Sequence, residues 1–284
     1  MRTKISLPNS VVILASLLCG LMWCVPAGFA QDSHIGKWVG NAKRGKALYQ
    51  RYCIFCHGVN GDGKGDSAPY LDPKPRDFTK ALFKCRSTPS GSLPTDSDLY
   101  DTISRGVHAS GMPSWTPLLH QERADLVAYI KTFAPEFREE KPGTPVSIPP
   151  EPPAAADSIK HGAELFQTMN CGLCHGKDGR GHGPSAASLT DSKGYPITPF
   201  DFTSGPQFKC GSTNRDMFRD LLTGLDGTPM PSFASAMSPD QMWDVVHYIR
   251  SLSTKTHASA KNESGTEPKG QAKDESKKDE PKKD

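Results

Sequence analysis

Cys53-Ile-Phe-Cys56-His57-Gly58 returns 118 residues later as Cys171-Gly-Leu-Cys174-His175-Gly176. Outward from each copy the likeness continues. Gly61, Gly63, Gly65, Ser67 and Ala68 are matched by Gly179, Gly181, Gly183, Ser185 and Ala186, and Met112-Pro-Ser-Trp115 by Met230-Pro-Ser-Phe233, all at the same offset. Between these blocks lie Asp77-Phe-Thr79 and Asp201-Phe-Thr203, then Phe83-Lys-Cys85 and Phe208-Lys-Cys210, where the offset drifts to 124 and 125 before returning. An insertion near 191–199 and a shortening after Thr213 cancel. His57 to Met112 and His175 to Met230 therefore both span 55 positions. A repeat that restores its span after unequal loops implies that the two ends of the span meet at one object.

Two cysteines separated by two residues, with histidine next to the second, admit three chemistries. A thioredoxin-like redox pair belongs in a strand–helix–strand setting, which is missing. A zinc site needs a second ligand pair about 12–20 residues away, whereas the next pair here is 118 away. The third is covalent attachment of haem c. One helical turn projects both sulfurs toward the vinyl edge of a porphyrin, and the adjoining imidazole reaches the iron. The pattern thus predicts two haem c groups, attached at Cys53 and Cys56 and at Cys171 and Cys174, with His57 and His175 as iron ligands.

For the sixth position on each iron the candidates are Met112 and Met230. Each precedes a proline, which disfavours helical backbone at the methionine and sets it on an extended loop, and each stands at the same distance from its histidine. Met169, Met217, Met237 and Met242 read as core filler. His108, His182 and His247 are rivals without a histidine at the matching repeat position. Methionine and histidine together leave iron no open position and favour electron transfer over oxygen chemistry. Cys85 and Cys210 occupy equivalent positions that no attachment motif uses. A disulfide between them would clamp the two halves; buried free thiols and axial thiolate ligation are the alternatives.

Composition agrees with a chain that borrows apolar mass from a cofactor. Only 36% of the 284 residues are hydrophobic, while Gly and Pro number 26 and 25; about 100 such residues per half are marginal as a free-standing core. The formal net charge of +3 excludes a nucleic-acid binder driven by a basic field. Residues 1–30 resemble an export signal: Arg2 and Lys4, the apolar run Val11–Val25, then small residues before a cleavage point near Gln31. That run is too short to span a bilayer, so no stable membrane insertion is expected after cleavage, and the expected compartment is periplasmic and oxidising. The expected domains are 31–140 and 157–254, joined by a proline-rich linker at 141–156. The tail at 255–284 lacks Leu, Ile, Val and aromatic residues and is expected to be disordered. Helices are expected over Lys43–Tyr52, Ile159–Met169, Gln121–Phe133 and Pro239–Leu252, with Thr95, Thr213 and Ser238 as N-caps and Gly106 and Gly224 as stops. No strand is expected. The fold class is all-α, two tandem helical domains each wrapped around a haem.

Cys-x-x-Cys-His followed about fifty residues later by Met-Pro-Ser-Trp or Met-Pro-Ser-Phe, then by an apolar helix with Tyr129-Ile-Lys131 or Tyr248-Ile-Arg250, resembles the class I cytochromes c. Two copies in one exported chain resemble the two-domain dihaem cytochromes c. The likeness covers about 220 residues. It implies a helical fold around each haem, His/Met ligation, and electron transfer with redox partner proteins, either free-standing or as the cytochrome subunit of a larger complex. It implies a carrier and not an enzyme. The alternative is a dihaem enzyme, of peroxidase or sulfur-compound dehydrogenase type, with one open or cysteine-ligated haem. The long insert holding Asp-Phe-Thr and Phe-Lys-Cys in each half departs from the family pattern.

Overall fold

Each half is closed by a crossing of its first helix and a late one, and the sequence permits that crossing at one glycine. The computed structural model describes residues 32–263; the expected export signal and most of the tail lie outside them. Asn41 caps α1 (Ala42–Tyr52) by accepting from the backbone N–H of Arg44, and the chain enters α2 (Ile54–His57) directly. Thr95 and Asp98 form a reciprocal capping box that starts α3 (Asp96–Arg105), and Gly106, at φ +74°, ends it. The half closes with α4 (His120–Ile130) and the short α5 (Glu136–Glu139). The second half repeats the scheme with α6 (Ala156–Thr168), α7 (Cys171–His175), α8 (Asn214–Thr223, boxed by Thr213 and Asp216) and α9 (Pro239–Glu263).

Helix α1 packs on α4, and α6 on α9. A side-chain carbon at Gly45 would overlap the carbonyl oxygen of Asp125, and one at Gly162 that of Asp244. Only glycine lets these axes approach so closely. Polar clamps lie beside each crossing: Arg44 donates from Nε and Nη2 to Asp125, both at 2.7 Å, while Ser158 and His161 engage Asp244 at 2.5 and 2.7 Å. Around them lie two separate apolar cores. Tyr49, Leu126, Val127 and Ile130 centre the first, and Phe166, Trp243, Val245 and Val246 the second. Apolar residues of α4 and α9 recur at helical spacing, and α4 is buried at every position from Arg123 to Ala128.

In three places the structure differs from expectation. A hairpin pairs Ser33–Ile35 (β1) with Trp38–Gly40 (β2) through the turn at Gly36 and Lys37. Strands of three residues are too short to show as alternation, and tertiary contact holds this pair, Ser33 Oγ donating to Ala124 O at 2.7 Å. Helix α9 continues through 255–263, corrected from the expected disordered tail: no Gly or Pro interrupts the sequence before Gly265. The proline-rich 141–156 is extended but is no free spacer. Val146 N–H donates to Ser87 O, Ile148 packs against the second core, and Glu151 meets His247.

Cys85 and Cys210 form a disulfide, with Cα atoms 5.1 Å apart and 125 positions between them. Beside it the fully buried guanidinium of Arg86 donates to Thr223 O at 2.7 Å and pairs with Asp226 at 2.9 Å. Lys193 reaches the other way, donating to Asp62 O at 2.9 Å and pairing with Asp77 at 3.2 Å.

Candidate functional site

Cys53, Cys56, His57 and Met112 line one cleft in the first half, together with Tyr52, Phe78, Phe83, Leu99, Ile103 and Trp115. The cleft opens to solvent on one side, and its walls are mostly apolar. The chain closes on it from both ends of the 55-residue span, which explains why that span is kept.

His57 is buried, and its Nδ1–H donates to Arg76 O at 3.0 Å; Phe78 stacks on the ring with centroids 4.4 Å apart. His175 repeats both contacts, with Phe200 O at 3.1 Å and Phe202 at 4.4 Å. A carbonyl on Nδ1 fixes the tautomer and leaves Nε2 as the nitrogen for a metal. Burial pushes both imidazoliums down, and the charge of Arg76 adds to this at His57 only. The Asp-Phe-Thr insert is therefore the support for the histidine. Asp77 and Asp201 cap their own turns by accepting from Thr79 and Thr203, which sets both the carbonyl and the ring. The sequence displayed this insert twice without revealing its role.

The methionine loops are likewise superposable in their bonds. Met112 N–H donates to Ser110 Oγ and Met112 O accepts from Val107 N–H; Met230 does the same with Thr228 Oγ1 and Leu225. In the second half Cys171 and Met230 pack against one core. His108 and His182 are exposed. His247 is buried but spent on Ser158 and Glu151.

Burial pushes the Cys53 thiol up to about 12 and the Cys171 thiol up to about 11. Thiol–disulfide exchange needs the opposite, an accessible thiolate. Among the described residues no three His, Cys, Asp or Glu side chains are gathered to hold a metal ion directly. A bare-metal or redox-thiol centre does not fit.

Porphyrin fits. Lys74, Arg76, Lys84 and Lys209 all line the first cleft, and among the described residues no carboxylate does. Burial, with Arg76 and Lys209 alongside, pushes the Lys84 ammonium down to about 8. Such crowding of like charge is costly in the bare protein, and a flat apolar ligand carrying carboxylates would offset it. These cations were not singled out from sequence. The signal lay in the contrast between Lys74-Pro-Arg-Asp-Phe-Thr79 and Thr198-Pro-Phe-Asp-Phe-Thr203.

Residues 40–130 match the family model for the cbb3-type cytochrome c oxidase subunit III, and residues 159–253 that for cytochrome c. Among solved structures the chain is similar to one from the Kuenenia stuttgartiensis reducing HAO-like protein complex Kustc0457/Kustc0458. That match has 44% identity and a TM-score of 0.72, covering 74% of this chain and 96% of the other. The chain belongs to the cytochromes c. It is a mostly helical, tandem two-domain cytochrome, consistent with the dihaem class I type, whose domains indicate haem c and electron transfer. No curated protein matches the cytochrome. Among its described residues no helix is long and apolar enough to cross a membrane.

Proposed function

We propose that this cytochrome is an exported, periplasmic dihaem electron carrier that works as the cytochrome subunit of a larger redox complex. The observation that carries the proposal is the shared cleft of Cys53, Cys56, His57 and Met112. Cys53 and Cys56 hold one porphyrin through thioethers, and Cys171 and Cys174 the other. His57 and Met112 ligate the first iron; His175 and Met230 the second. Bound haem supplies a one-electron Fe(III)/Fe(II) couple.

The residues do the rest. Arg76 O and Phe200 O hold each imidazole in the ligating tautomer, and Phe78 and Phe202 keep the rings from turning. Gly106 and Gly224, at φ +74° and +68°, bring each methionine loop against the helix it follows. The aromatic walls exclude water, which favours outer-sphere exchange over chemistry at iron. The proposal of a subunit role is supported by similarity to a chain from a protein complex. A cysteine-ligated enzyme loses its support, because Cys85 and Cys210 are bonded to each other.

Carbon monoxide binding to the reduced, matured protein tests the ligation. Two haems that ignore it are expected, with Met112→Ala and Met230→Ala each gaining one carbon monoxide per chain and each losing part of the methionine–iron charge-transfer absorption. Ready binding by the unaltered protein would favour an enzyme with an open haem.

A further inference from the structure

The two halves repeat nearly every contact around their histidines, yet the charge behind those histidines differs. In the first half, the residue whose carbonyl holds the imidazole is Arg76; in the second it is Phe200. Two positions earlier Lys74 is replaced by Thr198. Lys74 is fixed in place by Ala68 O and Pro69 O, at 3.3 and 2.8 Å. The Phe-Lys-Cys lysines, Lys84 and Lys209, are equivalent in the repeat, but both line the first cleft, Lys209 reaching it from the other half beside the disulfide. Where Thr102 lines that cleft, the repeat puts Asp220, paired with Arg219 at 3.2 Å. Acids do lie near the cations: Asp77, Asp191 and Asp226 around Arg76, and Asp72 near Lys209. None of them lines the cleft.

A positive charge in a water-poor wall stabilises the reduced, less positive form of a metal centre, and it acts more strongly there than in water. We propose that Lys74, Arg76, Lys84 and Lys209 make the His57 site the higher-potential haem site, so that an electron shared by the halves rests on the first. The proposal rests on the two-haem assignment made above. It gives the chain a polarity: a donor is served by the second half and an acceptor by the first. Lys209 makes that polarity a property of the joined halves, since its cation comes from the second half.

The test is a spectroelectrochemical titration of the intact, matured protein, with haem counted by pyridine haemochrome. Two haems per chain and two resolved waves are expected. Arg76→Gln should lower the upper wave about tenfold in its equilibrium constant, ~59 mV for one electron, and leave the lower wave in place. Lys74→Gln, farther from the core, should move the same wave the same way and decides the matter if the Arg76 variant does not mature. Movement of the lower wave, or of neither, overturns the proposed polarity while leaving the haem assignment intact. Fewer than two haems overturns the assignment itself, and the polarity with it.

Discussion

Removing the Cys85–Cys210 bond by the double change Cys85→Ala/Cys210→Ala should cost the cytochrome about 5 kcal/mol. The bond joins positions 125 apart. Closing a loop of that length removes roughly 16 cal/mol/K from the unfolded chain in the loop-entropy relation, which is about 5 kcal/mol at 25 °C. No haem attachment shortens that loop, because each pair of attachment cysteines lies within one half. For a protein of this size each kcal/mol is worth about 2–4 °C in midpoint, so the thermal transition should fall by about 10–20 °C. Thermal and guanidinium unfolding followed by circular dichroism measure the loss. Emission from Trp243, which is buried in the second core, shows whether that half now unfolds apart from the first. A loss under about 1 kcal/mol would refute the reasoning, and would mean that the Arg86 and Lys193 contacts already hold the halves together in the unfolded ensemble.

Two further changes probe the frame. Gly45→Ala forces a methyl group into the carbonyl of Asp125 and should cost about 1–3 kcal/mol or more; an unchanged guanidinium midpoint would show that the crossing of α1 and α4 is looser than its geometry. Arg86→Met leaves Asp226 without its buried partner and should cost about 3–5 kcal/mol, whereas Arg86→Met with Asp226→Leu should recover most of it. Equal losses in the single and double variants would place the contribution of Arg86 in its bonds to Thr223 O and Gly224 O.

The helices and the cleft were legible because their determinants are local. Thr95 and Thr213 three residues before an acid, glycines that stop α3 and α8, and apolar residues at helical spacing in α4 and α9 each act within one turn of chain. That His57 and Met112 share a cleft was legible for another reason: equal spans across unequal loops leave a trace in numbering alone. What stayed hidden depends on contact between distant segments. Whether Lys209 meets the first cleft depends on how the halves pack, and spacing carries no record of that. The carbonyls of Arg76 and Phe200 were hidden because a backbone acceptor has no side-chain signature. The β1–β2 hairpin is held by distant segments, among them Ala124 O, Asp96 and Gln121, and three-residue strands have no period to detect.

The cancelling length changes also have a physical explanation. The second half gains residues around 191–199, and Lys193 from that insertion crosses to Asp62 O and Asp77 of the first half. The first half has extra residues between Thr88 and Thr95, and from that loop Ser90 Oγ and Gly91 N–H cross to Asp226 of the second half, each at 3.0 Å. Pro89 O in the same loop accepts from Arg86 Nε. Both length differences thus act at the junction between the halves. Two like halves joined through equivalent cysteines bring equivalent segments together at the junction. Lengthening one loop in each half, at different repeat positions, gives each partner its own reach. The span from histidine to methionine is restored because the two additions cancel, so that the helix before each methionine, α3 or α8, starts from the same capping box at the same distance from its histidine.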